Sequence, residues 1–164
     1  DFCLSSGLGD VYKRQVLSIV VKPDAQIEYE EFGKKNVASL QGAEVKEVLL
    51  NAGMWPFIKQ RPYDIVAAPL DTPRDIFVSA FYSAPLAPNF DFIVKGQEAD
   101  FQTGLNALAK LTNGKVYVGV RSGSVVSGMK GVEIVEVEGP HPAANVGVQI
   151  NHIKPVNKLA LIHI

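Results

Sequence analysis

Cysteine is nearly missing from this chain: among 164 residues there is one, Cys3. A single thiol cannot close an internal disulfide, and it cannot build a cysteine zinc site or hold an iron–sulfur cluster. Long apolar runs are missing too. None approaches the roughly 20 residues that a membrane-crossing helix needs, so any work at a membrane is expected from outside the lipid, with no transmembrane segment of its own. Positive charge is not in excess. Lys and Arg number 16 against 17 Asp and Glu, a net charge of −1, and the cations are scattered. That excludes the basic stripe of a nucleic-acid binder. Repeats and low-complexity segments are absent as well. What remains, 47% hydrophobic and 20% charged residues, is ordinary for a chain that buries a core.

The two ends look foreign. Asp10-Val11-Tyr12-Lys13-Arg14-Gln15 can be encoded by GAT GTG TAT AAG AGA CAG, whose reverse complement reads as the hexapeptide LSLIHI. The chain finishes Leu159-Ala160-Leu161-Ile162-His163-Ile164, the same hexapeptide with one change. Inverted copies of this kind resemble a translated sequencing adaptor. Residues 1–15 and 159–164 are therefore expected to be artefact, and Val16–Lys158 native; the alternative is a genuine N-terminal tail. Cys3 and His163 fall away with the ends, leaving His141 and His152.

The hydrophobic pattern predicts an α/β fold. Val16–Val21 is a short β-branched run that reads as a strand stopped by Lys22-Pro23, followed by a polar connector to Lys35. Val45, Val48, Leu49 and Ala52 form one apolar helical stripe, with Ser39 as a cap and Gly53 in the left-handed position past its end. Arg61-Pro62-Tyr63-Asp64 reads as a turn. Ile76–Tyr82 is apolar on both faces, as in a parallel sheet buried on both sides. Gln97–Thr112 reads as a helix with Phe101, Leu105, Leu108 and Ala109 on one face. Val116–Val120 follows as a strand, completing a βαβ unit with parallel strands. Val132–Val137, with three glutamates, suggests a strand nearer the edge, and Ala144–Asn151 a last helix. In such sheets ligands sit beyond the carboxyl ends of the strands. Segments 83–96, 121–131 and 139–145 should gather there.

Within that crevice the residues argue against a nucleotide phosphate. A phosphate cradle needs consecutive backbone N–H groups, and Ser83-Ala84-Pro85-Leu86-Ala87-Pro88 has two residues without one. Gly123–Gly128 starts like a phosphate loop, but Met129 stands where the motif demands Lys and Lys130 is one residue out of register. His141 and His152, with Glu138 the only acidic neighbour, do not have a metal spacing. Glu98 and Asp100 suit the first turn of a helix. There is no nucleophile elbow, and Ser79 and Ser83 read as plain strand and loop serines. Two features keep both a functional and a structural reading. His141 between Pro140 and Pro142 is either a rigidly presented imidazole or a solvated turn residue. Trp55, Phe57 and Arg61 form either a partner or quinone-ring contact or a small core under the loop, with Arg61 stacked on a ring.

Six segments in order carry a family resemblance. They are Asn51-Ala52-Gly53-Met54-Trp55, Arg61-Pro62-Tyr63-Asp64, Ile76-Phe77-Val78, Gln97–Leu105, Leu111–Val118 and Glu138-Gly139-Pro140-His141-Pro142-Ala143. The series is similar to the A-subunit family of the Na⁺-translocating NADH:quinone reductase over nearly all of Val16–Lys158. The resemblance implies a three-layer Rossmann-like domain over 36–158 with a mostly parallel sheet and no flavin site, preceded at 16–35 by the terminal strand of a biotinyl/lipoyl-like β domain. It also implies a β-grasp-type segment beyond Lys158. The implied role is that of a non-catalytic component on the cytoplasmic face of the bacterial inner membrane. Flavins and iron–sulfur centres would belong to its partner subunits, and a quinone would be a ligand of the complex. Trp55, Phe57, Arg61 and His141 are the expected partner or quinone contacts; no catalytic, cofactor or metal residue is expected. The competing readings are a free-standing nucleotide- or flavin-binding domain and a ligand-free adaptor.

Overall fold

The computed structural model describes residues 5–7, 18–156 and 162–163. The chain divides into two compact units between Gly33 and Lys34. In the first, strand β1 (Ser5–Gly7) pairs antiparallel with β2 (Ser18–Val20), Ser5 opposite Val20 and Gly7 opposite Ser18. The strand expected at Val16–Val21 is thus present as Ser18–Val20, and its partner lies inside the stretch expected to be foreign. Residues 16–17 lie outside the described residues.

The second unit holds the core. Its strands are β3 (Lys59–Arg61), β4 (Ile65–Val66), β5 (Ile76–Ser79), β6 (Val116–Val120), β7 (Glu133–Glu136) and β8 (Ile162–His163), arranged β4-β3-β8-β5-β6-β7. Strands β5, β6 and β7 are parallel, with Ile76 opposite Val116 and Tyr117 opposite Glu133. Strand β8 runs parallel to β5 and antiparallel to β3, while β3 and β4 form an antiparallel pair. Among the described residues four α-helices accompany the sheet: α1 (Gly42–Asn51), α2 (Phe90–Val94), α3 (Glu98–Ala109) and α4 (Val146–Ile153). The second unit is therefore an α/β domain whose mixed sheet is built around the three parallel strands β5, β6 and β7.

Side-chain alternation sorts the packing. Along β5 and β6, Ile76, Val78, Ala80, Val116, Val118 and Val120 point one way and join Val45 of α1 and Leu105 of α3 in one core cluster. Phe77 and Tyr117 belong to a second cluster with Ile150 of α4, their rings stacked 4.8 Å apart. The glutamates expected to mark an edge do so: β7 is the outer strand, and Glu133 and Glu136 are exposed.

Several local expectations meet a different solution. Ser39 does not cap α1. It closes a 3-10 turn, Val37–Ser39, capped by Asn36, and the start of α1 is held by Glu44, whose carboxylate accepts the Gln41 N–H at 2.7 Å. Gly53 does take a left-handed φ of 69° past the helix end. The turn at 61–64 is flanked by the two short strands β3 and β4, which hydrophobic patterning does not reveal. Helix α2, only five residues long, likewise has no counterpart in that pattern; Asn89 caps it by accepting the N–H groups of Asp91 and Phe92.

Candidate functional site

The loops after β5, β6 and β7 meet, and buried polar side chains tie them together. Gln149, on α4, is 3% exposed. Its Nε2 donates to Ser79 Oγ at 3.0 Å and to the Ala143 and Ala144 carbonyls at 3.3 Å. Ser79 Oγ donates in turn to the Ala144 carbonyl at 2.8 Å. Gly119 on β6 makes room for this network: a Cβ there would lie 2.2 Å from Gln149 Oε1. Ser79 is thus a fastener between the end of β5 and the 139–145 segment, not a plain strand serine.

Ser83 fastens the next contact. Its Oγ accepts the Ala144 N–H at 3.0 Å and lies 3.2 Å from His141 Nδ1. This Ser83–His141 contact, with the Ala144 bond, ties the 139–145 segment to the loop after β5. His141 and Arg61 line the same open cleft, of about 390 Å³, together with Lys59, Ser79, Phe81, Tyr82, Ser83, Ala144, Asn145 and Val146.

The rest of the aromatic–cation group separates. Trp55 is 4% exposed, packed in the main core, and its indole N–H donates to the Ala67 carbonyl at 2.7 Å. It has no face left for a ligand. The cation beside its ring is Lys46, 6.0 Å from the centroid, and not Arg61. Phe57 is 73% exposed on the 3-10 turn Trp55–Phe57, and it does not line the Arg61 cleft. Arg61 packs against Gly147 at the start of α4 and lies 3.5 Å from Asp64, a half-solvated pair of small energetic weight.

The second half of the crevice lies between the loops after β5 and β6, lined by Phe81, Ser83, Ala84, Ala87, Asp91 and Arg121 among others. Here the amides that could meet an external anion have internal acceptors. Asp91 presents its carboxylate to the Gly/Ser loop, receiving the Ser124 hydroxyl at 2.5 Å and the Val125 N–H at 3.1 Å. In the proline loop the Ala87 N–H donates to the Ala84 carbonyl at 3.2 Å. Glu98, at the start of α3, accepts the Gly96 N–H, and that backbone bond holds its carboxyl below the usual carboxylate range. The backbone of Lys130 is tied to α3 instead of facing the crevice: its N–H donates to Gln102 Oε1 at 2.8 Å.

A residue that no sequence motif marks sits at the opposite end of β5. Asp75 is 1% exposed, yet its carboxylate meets Arg74 Nε and Lys154 Nζ, each at 2.7 Å, and the Lys115 N–H at 3.3 Å. Burial alone would raise its pKa; the Lys154, Arg74 and Lys115 donors outweigh it and hold the carboxyl below its ordinary value. Between β5 and the end of α2 several apolar side chains face solvent: Tyr82, which lines the crevice, and Leu86, Phe92 and Ile93 are 50%, 105%, 79% and 49% exposed, and Leu86 takes a φ of 60°. Among the described residues no helix is long and apolar enough to cross a membrane, and no group of three His, Cys, Asp or Glu could hold a metal.

Comparison with known proteins adds a family. Residues 40–163 match the family model described as the NqrA second alpha/beta domain. The Na(+)-translocating NADH-quinone reductase A-subunit of Serratia proteamaculans is 35% identical over 156 residues, which is 94% of this chain and 35% of that protein. The protein of the same name from Neisseria meningitidis serogroup B is 35% identical over 144 residues, 87% of this chain and 32% of that one. That from Yersinia pestis is 33% identical over 150 residues, 90% of this chain and 34% of its own length. The chain spans about a third of the length of the curated relatives it matches.

Proposed function

This chain belongs to the family of the second α/β domain of NqrA, and on that premise we propose that it serves as the middle, non-catalytic domain of the A-subunit of a sodium-pumping NADH:quinone reductase. The complex as a whole would oxidise NADH, reduce a quinone and export Na⁺. Flavins and iron–sulfur centres would reside in its other subunits. The domain would have a doubly wound, Rossmann-like layering, with β2 as the tail of a preceding biotinyl/lipoyl-like domain. It would sit on the cytoplasmic face of the inner membrane, touching its partners from outside the lipid.

The observation that carries this reading is the Asp91 carboxylate seated in the Gly123–Gly128 loop. Where a nucleotide-binding relative would offer amides to a phosphate, this chain satisfies them itself, and two prolines thin out the facing loop. Such a crevice suits a docking part better than a cofactor carrier. Phe57, Arg61 and His141 are the proposed contacts to a partner or to a quinone; Trp55, being buried, is not among them. The test is assembly and colour. Membrane protein captured through this chain should bring down redox subunits with Na⁺-stimulated NADH:quinone reductase activity, while the purified chain should be colourless. A yellow chain that binds NADH and captures no redox subunit would replace the proposal with a free-standing flavin- or nucleotide-binding domain.

A further inference from the structure

Among the described residues, those that line the Arg61 cleft carry positive charge and no negative charge. Lys59 and Arg61 lie two residues apart on β3 and so share one face of the strand. His141 comes in from the 139–145 loop, and no aspartate or glutamate lines the cleft among the described residues. Asp64, 3.5 Å from one guanidinium nitrogen, is 59% exposed and lies outside that lining. Arg61 Nε is buried and finds no acceptor among the described residues. A buried donor without a partner is costly and rare in native proteins. In a chain whose overall charge is −1, a local pocket of this sign calls for an anion supplied from elsewhere.

The surroundings indicate what kind of anion. Tyr82, half exposed, lines the cleft, and the chain from there through α2 also exposes Leu86, Phe92 and Ile93. A cationic pocket with a solvent-facing tyrosine in its wall has the make-up of a protein interface, in which Arg and aromatic residues act as anchors. We propose that the Lys59–Arg61–His141 cleft receives a carboxylate side chain from another polypeptide, whose neighbouring apolar residues pack on the exposed Tyr82. The planar Arg61 guanidinium can take the carboxylate in a two-point contact, Lys59 supplies a second charge, and the His141 ring a further polar contact. Ser79, Ser83 and Gln149 are positioning residues, holding the loop that presents His141. The inference rests on the docking role proposed above and specifies where and how that docking occurs.

The test is a titration of the full chain, followed by backbone amide resonances, with a short synthetic peptide of alternating glutamate and leucine. Parallel titrations use the same peptide with glutamine in place of glutamate, and inorganic phosphate. The acidic peptide should bind saturably, moving the signals of Arg61, Ser83, His141 and Val146, and the glutamine peptide should bind about tenfold more weakly or worse, as expected for loss of a charge-assisted pair. Arg61→Ala and, independently, Lys59→Ala should each weaken the acidic peptide about tenfold, while Lys130→Ala, exposed and outside the cleft, should not. A thermal melt shows whether each variant is folded, and Lys59→Ala carries the test should Arg61→Ala unfold. Equal binding of the two peptides, or no saturable binding, would overturn the inference. So would tighter binding of phosphate than of the acidic peptide, which would make the cleft a small-anion pocket. Any of these results would leave co-purification with redox subunits untouched, so failure here is separable from failure of the docking role itself.

Discussion

Replacing Asp75 by asparagine keeps the volume of the side chain and removes its charge. The wild-type carboxylate is 1% exposed and is held by Arg74, Lys154 and the Lys115 amide. Deleting one partner of a fully buried ion pair costs about 3–5 kcal/mol, chiefly because the other charge is stranded. Here the stranded cations are Arg74 and Lys154, whose side chains are 39% and 41% exposed and can recover water. The expected loss is therefore smaller, about 2–3 kcal/mol, or a fall of roughly 10 °C in melting temperature for a domain of this size. The pH dependence has a definite sign. A carboxyl whose folded pKa is depressed adds stability that is complete above its unfolded value of about 3.9 and disappears as pH falls through the folded value. Since Asp75 is depressed, the stability gap between wild type and Asp75→Asn should be level from about pH 8 to pH 5 and should shrink below about pH 4. Urea denaturation followed by circular dichroism at several pH values measures it. A gap under about 0.5 kcal/mol at neutral pH, or one that widens on acidification, would be incompatible with a buried carboxylate held by these three donors.

Three further substitutions probe the site and its support. Gly119→Ala places a methyl group 2.2 Å from Gln149 Oε1; it should cost about 2 kcal/mol in thermal denaturation and shift the amide signals of residues 141–145. Trp55→Ala removes a core ring and its bond to Ala67. Its expected cost is about 3–5 kcal/mol in a denaturant melt, whereas a surface-contact role would leave stability almost unchanged. Asp91→Ala takes away the acceptor of the Ser124 hydroxyl and the Val125 N–H. Hydrogen exchange at Val125 should speed up, with a stability loss of about 1–2 kcal/mol.

The parts of the fold that can be read in advance are those where burial writes itself into residue type. Val116–Val120 is a strand to the residue because it is buried on both faces. Helix α3 shows its stripe because Leu105 and Phe101 must reach one core. Strand β3 leaves no such mark. Lys59-Gln60-Arg61 contains no apolar residue; its inward position is filled by Gln60, 6% exposed, which accepts the Ala68 N–H through its side chain. Helix α2 is too short to show a period and is recognisable only by its Asn89 cap. Arg61 and His141 can be singled out as chemically unusual residues in a turn and between prolines, but nothing local announces that they share a cleft. That depends on Ser79, Ser83 and Gln149, polar residues distant in sequence whose bonds exist only in the folded chain. Asp75 is the same kind of case: its partner Lys154 is met only when α4 packs on the sheet.

A crevice whose Gly/Ser loop is held by its own Asp91 carboxylate and whose facing loop carries two prolines should hold no nucleotide. Equilibrium dialysis of the purified chain against flavin mononucleotide and against NADH measures this without intermediaries. The expected result is no saturable binding of either up to about 1 mM, the level that corresponds to roughly −4 kcal/mol. One tightly held flavin or dinucleotide per chain, with its phosphate moving the Ala84 and Val125 amide signals, would contradict it.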